Sequence, residues 1–565
     1  MKRISKIIEI FFKIIRMLII VSGIWVWVLA KIIVWAGNRF SPQLETIWRT
    51  LPILSIVGMI MILAVNVGRI SAGENAFDVK LFDFLKRDLF DDGKGKYEYP
   101  AVNSCMLFKE PIGMVFGRQG KKYVCRPEDW EGNSIIAGGS GSGKTSCIIL
   151  PYILWCMENG FHQLIIDIKG ELSSKCISPK TSDAVIINPE DRSSYGFDPF
   201  GLLDEDSTQD QITRCIQTIC NSLIPPAKSS ENDFWSISAR SMLFGIISYF
   251  YRYEEIRDLT EIIRKALSQP IDQLIKKIIE DVTPGSIEYS SLINFHGMPA
   301  ETLLSVFSNL KNRIEKLIVD QDLAYALGAN PRKVRPQDLL YTSVFLVVNE
   351  GNLALWNQFI ILIINETMLW AMSDLKEASE EQDRPWMGMV IDETVALLSG
   401  LEGKISNLVQ GSRFLRSKRF RLTIVCQSIA GLKTVYSPEE VDDLLSNFSY
   451  KIILNTEVSS DAEIWAKLIP QYEAKKYSYS GSGINRKTTT STEKRQLVDL
   501  SDLSRLPQKG ELILLSPTTG YCRLKKASVY TDPILNKKLQ KVQEEKNHES
   551  RKRNDPPVGR GGSKS

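Results

Sequence analysis

The spacing of apolar positions divides this 565-residue chain into segments of distinct character. Residues 17–36 are mostly apolar, and as a helix they span about 30 Å, the thickness of a hydrocarbon core. Residues 51–68 form a second, slightly shorter stretch, closed by Arg69. Lys31 can snorkel from the end of the first stretch, and Trp25, Trp27 and Trp35 suit an interface. Five basic residues (Lys2, Arg3, Lys6, Lys13, Arg16) precede the first stretch, whereas the loop 37–50 holds only Arg39 and Arg49 against Glu45. This bias predicts two transmembrane helices, with the N-terminus and everything after Arg69 in the cytoplasm. A cleaved signal peptide fits less well, because the second span follows at once and no small-residue cleavage site is present.

Beyond residue 72 the period changes. Short apolar runs at 113–117, 122–126, 135–137, 163–167 and 185–188 read as strands, the last closed by Pro189, and 147–155 continues as an apolar helix despite Pro151. Strands alternating with helices predict an α/β fold with a parallel sheet covered on both faces. From about 204 to 327 apolar residues recur at three- and four-residue spacing, in 212–223, 234–253, 259–266, 271–280 and 299–318. Asp233 and Pro270 punctuate these runs as caps and breakers, so an all-helical insertion is expected. Strand pattern returns at 344–348, 389–391, 422–426 and 510–515, with a long amphipathic helix expected at 355–372. Residues 476–493, rich in Ser, Thr and Gly, read as a mobile loop, and the Lys-, Arg-, Gly- and Ser-rich stretch 536–565 as a disordered tail. The expected divisions are therefore 1–72, 73–203, 204–327, 328–535 and 536–565.

Composition narrows the chemistry. A net charge of +4 is too small to argue for nucleic acid by itself. Nine cysteines without a C-x-x-C pair exclude a disulfide framework or a zinc site of that type, and three histidines make a histidine-based metal centre improbable.

Candidate chemistry concentrates at two places. Gly138-x-x-x-x-Gly143-Lys144-Thr145 lies between a strand and a helix, the context a phosphate-binding loop requires. Gly138, Gly139, Ser140, Gly141, Ser142, Gly143, Lys144, Thr145 and Ser146 are expected to cradle the phosphates of ATP. Lys144 supplies a point charge at the β- and γ-phosphates, and Thr145 an oxygen for Mg2+. Far along the chain, the strand 389–391 ends in Asp392 and Glu393, one acid for the Mg2+ shell and one to polarise the attacking water. Gln427 and Ser428 end the next strand. Gln427 can sense the γ-phosphate, although a helix-capping polar pair explains the same residues. Among the arginines of 411–421, Arg416 is the candidate for completing a neighbouring subunit's site; a phosphate-binding basic face is the equal alternative.

Together these segments resemble the type IV coupling proteins of conjugation and type IV secretion, the TraG-like membrane ATPases. The resemblance rests on 113–117, the glycine loop, Asp167-Ile-Lys169-Gly170-Glu171-Leu172 and Tyr195-Gly-Phe-Asp-Pro199. It extends through Asp233-Phe-Trp235 with Ala239, Asp392-Glu393, Gln427-Ser428 and Leu506-Pro-Gln-Lys-Gly510-Glu511. It covers most of residues 10–520, and it departs from the family in the very short loop 37–50 and in Lys418-Arg-Phe-Arg421 before Gln427. The resemblance implies a RecA-like P-loop NTPase domain with an inserted all-helical domain, behind a transmembrane hairpin in the bacterial inner membrane. It further implies a homo-hexamer that delivers a relaxase-bound single strand or secreted effector proteins to the inner-membrane components of a secretion channel. The basic tail (Lys537, Lys538, Lys541, Arg551, Lys552, Arg553, Arg560, Lys564) would dock a relaxase, DNA or anionic membrane lipids, or simply solubilise the terminus. Two rival readings are a septal chromosome-pumping translocase, whose further spans and C-terminal DNA-reading domain are not expected here, and a docking receptor whose nucleotide site only controls assembly.

Overall fold

The computed structural model of the chain describes residues 102–126, 132–178, 183–225, 233–399, 404–456, 459–480, 487–498 and 500–554. Both expected membrane spans, with the orientation inferred from them, lie outside these residues, as do residues 555–565.

The described residues form sixteen strands. The first eight are β1 (Leu107–Phe108), β2 (Met114–Gln119), β3 (Lys122–Arg126), β4 (Ser134–Ala137), β5 (Gln163–Asp167), β6 (Ala184–Ile187), β7 (Gly196–Phe197) and β8 (Lys333–Val334). The rest are β9 (Ser343–Val347), β10 (Met387–Ile391), β11 (Phe420–Cys426), β12 (Tyr450–Ile453), β13 (Gln471–Ser480), β14 (Lys487–Gln496), β15 (Glu511–Ser516) and β16 (Gly520–Lys525). Twelve of them make one sheet in the order β1-β3-β2-β16-β15-β12-β4-β11-β10-β5-β9-β6. From β12 to β6 every pairing is parallel, whereas β15, β16, β2, β3 and β1 add an antiparallel wing.

The parallel strands are apolar on both faces because helices cover both. Alternate residues feed opposite cores: Ile135, Leu164, Ile166, Met389, Ile391, Leu422 and Ile424 enter one, and Ile136, Ile165, Val390 and Val425 the other. The second core is closed by the helices Leu150–Asn159 and Glu171–Cys176. The first core is closed by the helix Leu353–Ser373, which carries buried residues on nearly every side from Trp356 to Met368. It was expected to be amphipathic; instead it is a core helix. It is long and apolar enough to cross a membrane, yet 78% of that stretch is buried inside the fold.

Between β7 and β8 every described element is helical, from Gln209–Leu223 to Tyr325–Ala329. The ends of this segment are clasped by the parallel pairing of Gly196 with Lys333 and Phe197 with Val334. Its apolar residues merge with the first core of the sheet rather than forming a separate one. Buried hydrogen bonds stitch the seam: Gln358 Nε2 donates to Leu223 O at 3.0 Å, and Asn365 Nδ2 to Ser222 Oγ at 2.9 Å.

Two expectations are corrected. The described residues of the stretch 476–493, expected as a loop, are strand: β13 and β14 pair with each other in a two-stranded sheet. Its Tyr and Thr residues favour extended backbone whatever their polarity. The tail is likewise not disordered throughout, since Pro533–Asn554 is a helix. Asp532 caps it by accepting Ile534 N and Leu535 N at 3.1 and 3.3 Å. Leu535 and Leu539 bury into the second core, with Lys538 paired to Glu158 at 2.7 Å.

Candidate active site

Four neighbouring parallel strands end at one edge of the sheet. Ala137 of β4 is level with Cys426 of β11, and Ile391 of β10 with Ile424 of β11 and Ile166 of β5. Gly138, Gln427, Asp392 and Ile168 therefore leave the sheet side by side, where open α/β sheets bind ligands. The strand carrying Asp392 lies only two positions from the one feeding the glycine loop, about 10 Å away.

The loop is held by its own backbone and by distant side chains. Gly138 N donates to Cys426 O at 3.1 Å, and Gly139 N to the Asn455 Oδ1 at 2.6 Å. Gly141 and Gly143 adopt φ of 70° and 95°, which glycine reaches at no steric cost. A Cβ on Gly138 would stand 2.6 Å from Ser142 Oγ, so that close approach needs glycine. Ser140 and Gly141 are exposed at the tip, Ser142 and Lys144 are buried, and Gly143, Thr145 and Ser146 are half-buried. Lys144 Nζ folds back on the carbonyls of Gly138 and Gly139 at 2.7 and 3.2 Å. Thr145–Ile149 is a wide π turn in which Leu150 N donates to Thr145 O. It leads into the helix with Pro151 in its first turn, where the missing N–H costs least. From the far end of the chain, Lys526 Nζ donates to Ser142 O at 2.6 Å and Val529 N to Ser146 O at 2.9 Å.

Opposite the loop stand the acids. Asp392 is 8% exposed, and burial, then the neighbouring Glu393 charge, push its carboxyl up to about 7 despite the Glu393 N–H and the Lys144 charge. Glu393 N donates to Asp392 Oδ1 at 3.0 Å, in a left-handed conformation (φ 49°) that is costly for a residue with a Cβ. Gln427 Nε2 donates to Glu393 Oε2 at 3.0 Å. Ser428 instead caps the helix Ile429–Leu432, accepting from Gly431 N and donating to Asp461 Oδ1 at 2.9 Å. Of the polar pair, Ser428 takes the capping job and Gln427 turns its amide to Glu393.

One candidate is not brought to this edge. Arg416 lies in the turn Leu415–Lys418 that precedes β11, at the opposite end of that strand from Gln427, about 20 Å away by strand length. Conversely, Asn455, Lys526 and Lys169 touch the site and were not singled out for it. Asn455 had a usable signal, a polar residue just past a buried apolar strand.

The donor set suits a magnesium–nucleotide. Among the described residues no cluster of three His, Cys, Asp or Glu forms a ready metal cage. A buried carboxylate that resists ionisation beside a second acid is, however, a place a divalent cation relieves. Asp392 and the Thr145 hydroxyl are hard oxygen ligands, and Mg2+ usually takes one or two of these plus phosphate oxygens and water.

Solved structures similar to this chain include those of a bacterial conjugative coupling protein. The unbound monoclinic form of TrwBΔN70 matches at 16% identity and TM-score 0.59, over 75% of this chain and 89% of that one. Plasmid coupling protein TrwB in complex with the non-hydrolysable ATP analogue ADPNP matches at 16% and 0.59, over 78% and 99%. The same protein with ADP and Mg2+ matches at 16% and 0.57, over 78% and 98%. At such identity the likeness speaks for the fold, a mixed α/β architecture around a large parallel sheet. No curated protein sequence matches the chain. The model of type IV secretory system conjugative DNA transfer matches residues 99–554, most of the chain and all of the site, so this protein belongs to the conjugative DNA transfer family of type IV secretion.

Proposed function

We propose that this protein is a membrane-anchored, RecA-like ATPase that assembles as a homo-hexamer and uses ATP hydrolysis to feed conjugative DNA, protein effectors or both into a type IV secretion channel. The observation that carries the reading is the meeting of Lys144 with Asp392 and Glu393 at one sheet edge, although nearly 250 residues of chain separate them.

In this reading the backbone N–H groups from Gly139 to Ser146 bind the phosphates, and Lys144 swings from the loop carbonyls to the β- and γ-oxygens. Thr145 and Asp392 would hold Mg2+, which when bound neutralises charge on those oxygens. Glu393 orients and polarises the attacking water, and Gln427, through its bond to Glu393, registers whether the γ-phosphate is present. Arg416, remote from its own chain's site, would serve the neighbouring subunit's site in a ring. The helical segment would receive cargo, and the basic C-terminal residues would contact DNA, a relaxase or anionic lipid.

ATP turnover of the full chain in detergent or lipid discs, with and without single-stranded DNA, tests this. Stimulation by DNA, silenced in Lys144→Ala and lowered by about a hundredfold or more in Glu393→Gln, is expected. Nucleotide binding with negligible turnover in the parent chain would make it a docking receptor instead.

A further inference from the structure

Lys169 stands outside the expected set of active-site residues, yet it reaches the candidate water-activating acid. It follows β5 in the turn Ile168-Lys169-Gly170, where Gly170 adopts φ 66° and so lets the chain double back into the helix Glu171–Cys176. Because β5 runs parallel to β10 with Ile166 level with Ile391, this turn emerges beside Asp392 and Glu393. Lys169 Nζ lies 3.9 Å from Glu393 Oε1 and 3.2 Å from Glu350 Oε1. The other oxygen, Glu393 Oε2, is taken by Gln427 at 3.0 Å. The carboxylate of a residue just past the end of the middle strand is thus flanked by residues just past both neighbouring strands, a cation after β5 and an amide after β11.

The anchoring is directional. Glu350 begins the turn Glu350–Asn352 that launches the helix Leu353–Ser373, and Asn352 Nδ2 is fixed to Glu190 Oε1 at 2.7 Å. Lys169 thus pairs at 3.2 Å with an acid in the turn just ahead of a core helix and stands 3.9 Å from the other. A residue in a strained backbone conformation with a side chain of three rotatable bonds does not by itself hold one orientation; one donor, Gln427, and one nearby cation, Lys169, bias it.

We infer that Lys169 is a positioning residue, which aims the Glu393 carboxylate at the attacking water and does not itself touch the nucleotide. The inference rests on the role proposed for Glu393.

Steady-state ATP turnover and nucleotide affinity of the full chain test it, using Lys169→Met, Lys169→Arg, Glu393→Gln and the double variant Lys169→Met/Glu393→Gln. Lys169→Met is expected to lower kcat by about tenfold with KM and ADP affinity unchanged, since only the aim of the carboxylate is lost. Lys169→Arg, which keeps the cation and its reach, restores turnover to within about threefold of the parent. In the Glu393→Gln background the methionine changes kcat by less than about twofold, because a residue that acts through Glu393 has nothing left to aim. Unfolding temperatures within a degree or so of the parent show that the variants are folded. A fall in nucleotide affinity, or an equal loss of kcat in both backgrounds, would overturn the inference and leave the role of Glu393 standing. Undiminished turnover in Glu393→Gln alone would overturn both.

Discussion

Asp392→Asn is expected to stabilise the nucleotide-free protein most above neutral pH and progressively less as the pH falls towards about 4. Burial and the adjacent Glu393 raise the Asp392 carboxyl from 3.8 to about 7 in the folded chain. Between those values the folded state keeps a proton that the unfolded state has lost. The stability tied to this group is thus fully present below the unfolded value and is lost as pH rises through about 7. At about pH 8 the gap corresponds to at most about 4 kcal/mol, the cost of keeping an ionised carboxylate in that pocket. An amide does not ionise, and its oxygen still accepts from Glu393 N, 3.0 Å away. The substitution therefore removes the cost and keeps the contact. Thermal unfolding of the parent and the variant in EDTA, from about pH 5 to about pH 8, reads this directly; the difference, about 1–2 kcal/mol at the acid end, should grow to about 4 kcal/mol and several degrees at the alkaline end. Mg2+ with ADP added at the alkaline end should then favour the parent, which alone offers the cation a charge. A pH-independent difference between the two, or a variant less stable than the parent at about pH 8, would refute the reasoning.

Two further substitutions test how distant residues hold the site. Asn455→Ala leaves Gly139 N without its 2.6 Å acceptor; a lost buried hydrogen bond costs about 1–3 kcal/mol, so ADP affinity should fall by about tenfold in a fluorescent-nucleotide titration. Leu539→Ala, at a 2% exposed position of the C-terminal helix, should cost about 2–4 kcal/mol by denaturant unfolding and expose that helix to early proteolysis.

The features legible in the sequence were those whose cause is local. Ile135 and Ile136 alternate between two cores and are apolar for that reason, so β4 shows as an apolar run. The helical period of 212–223 was equally legible, although the Thr208–Gln211 capping box starts that helix at Gln209, three residues earlier than the apolar spacing alone places it. What escaped depends on partners far away in sequence. Leu535, Leu539 and Val542 are spaced for a helix, yet among Lys, Glu and Asn they carry no signal until the groove beside the Leu150–Asn159 helix is in place. The bond from Lys526 to Ser142 spans 384 residues, and no pattern near either residue announces it. Lys169 was quoted for its motif, but its reach to Glu393 follows only from β5 and β10 being neighbours.

The helical segment has no soft joint where it meets the sheet. Its apolar side chains continue without a break into those of the strands, and the Gln358–Leu223 and Asn365–Ser222 bonds lock the seam from within. A load applied to the outer helices would be passed through the Leu353–Ser373 helix towards the strand tips, because that helix packs between them. Under the proposed function, pulling and bond-breaking chemistry would be two ends of one lever, and wedging the seam open would disengage them without damaging either.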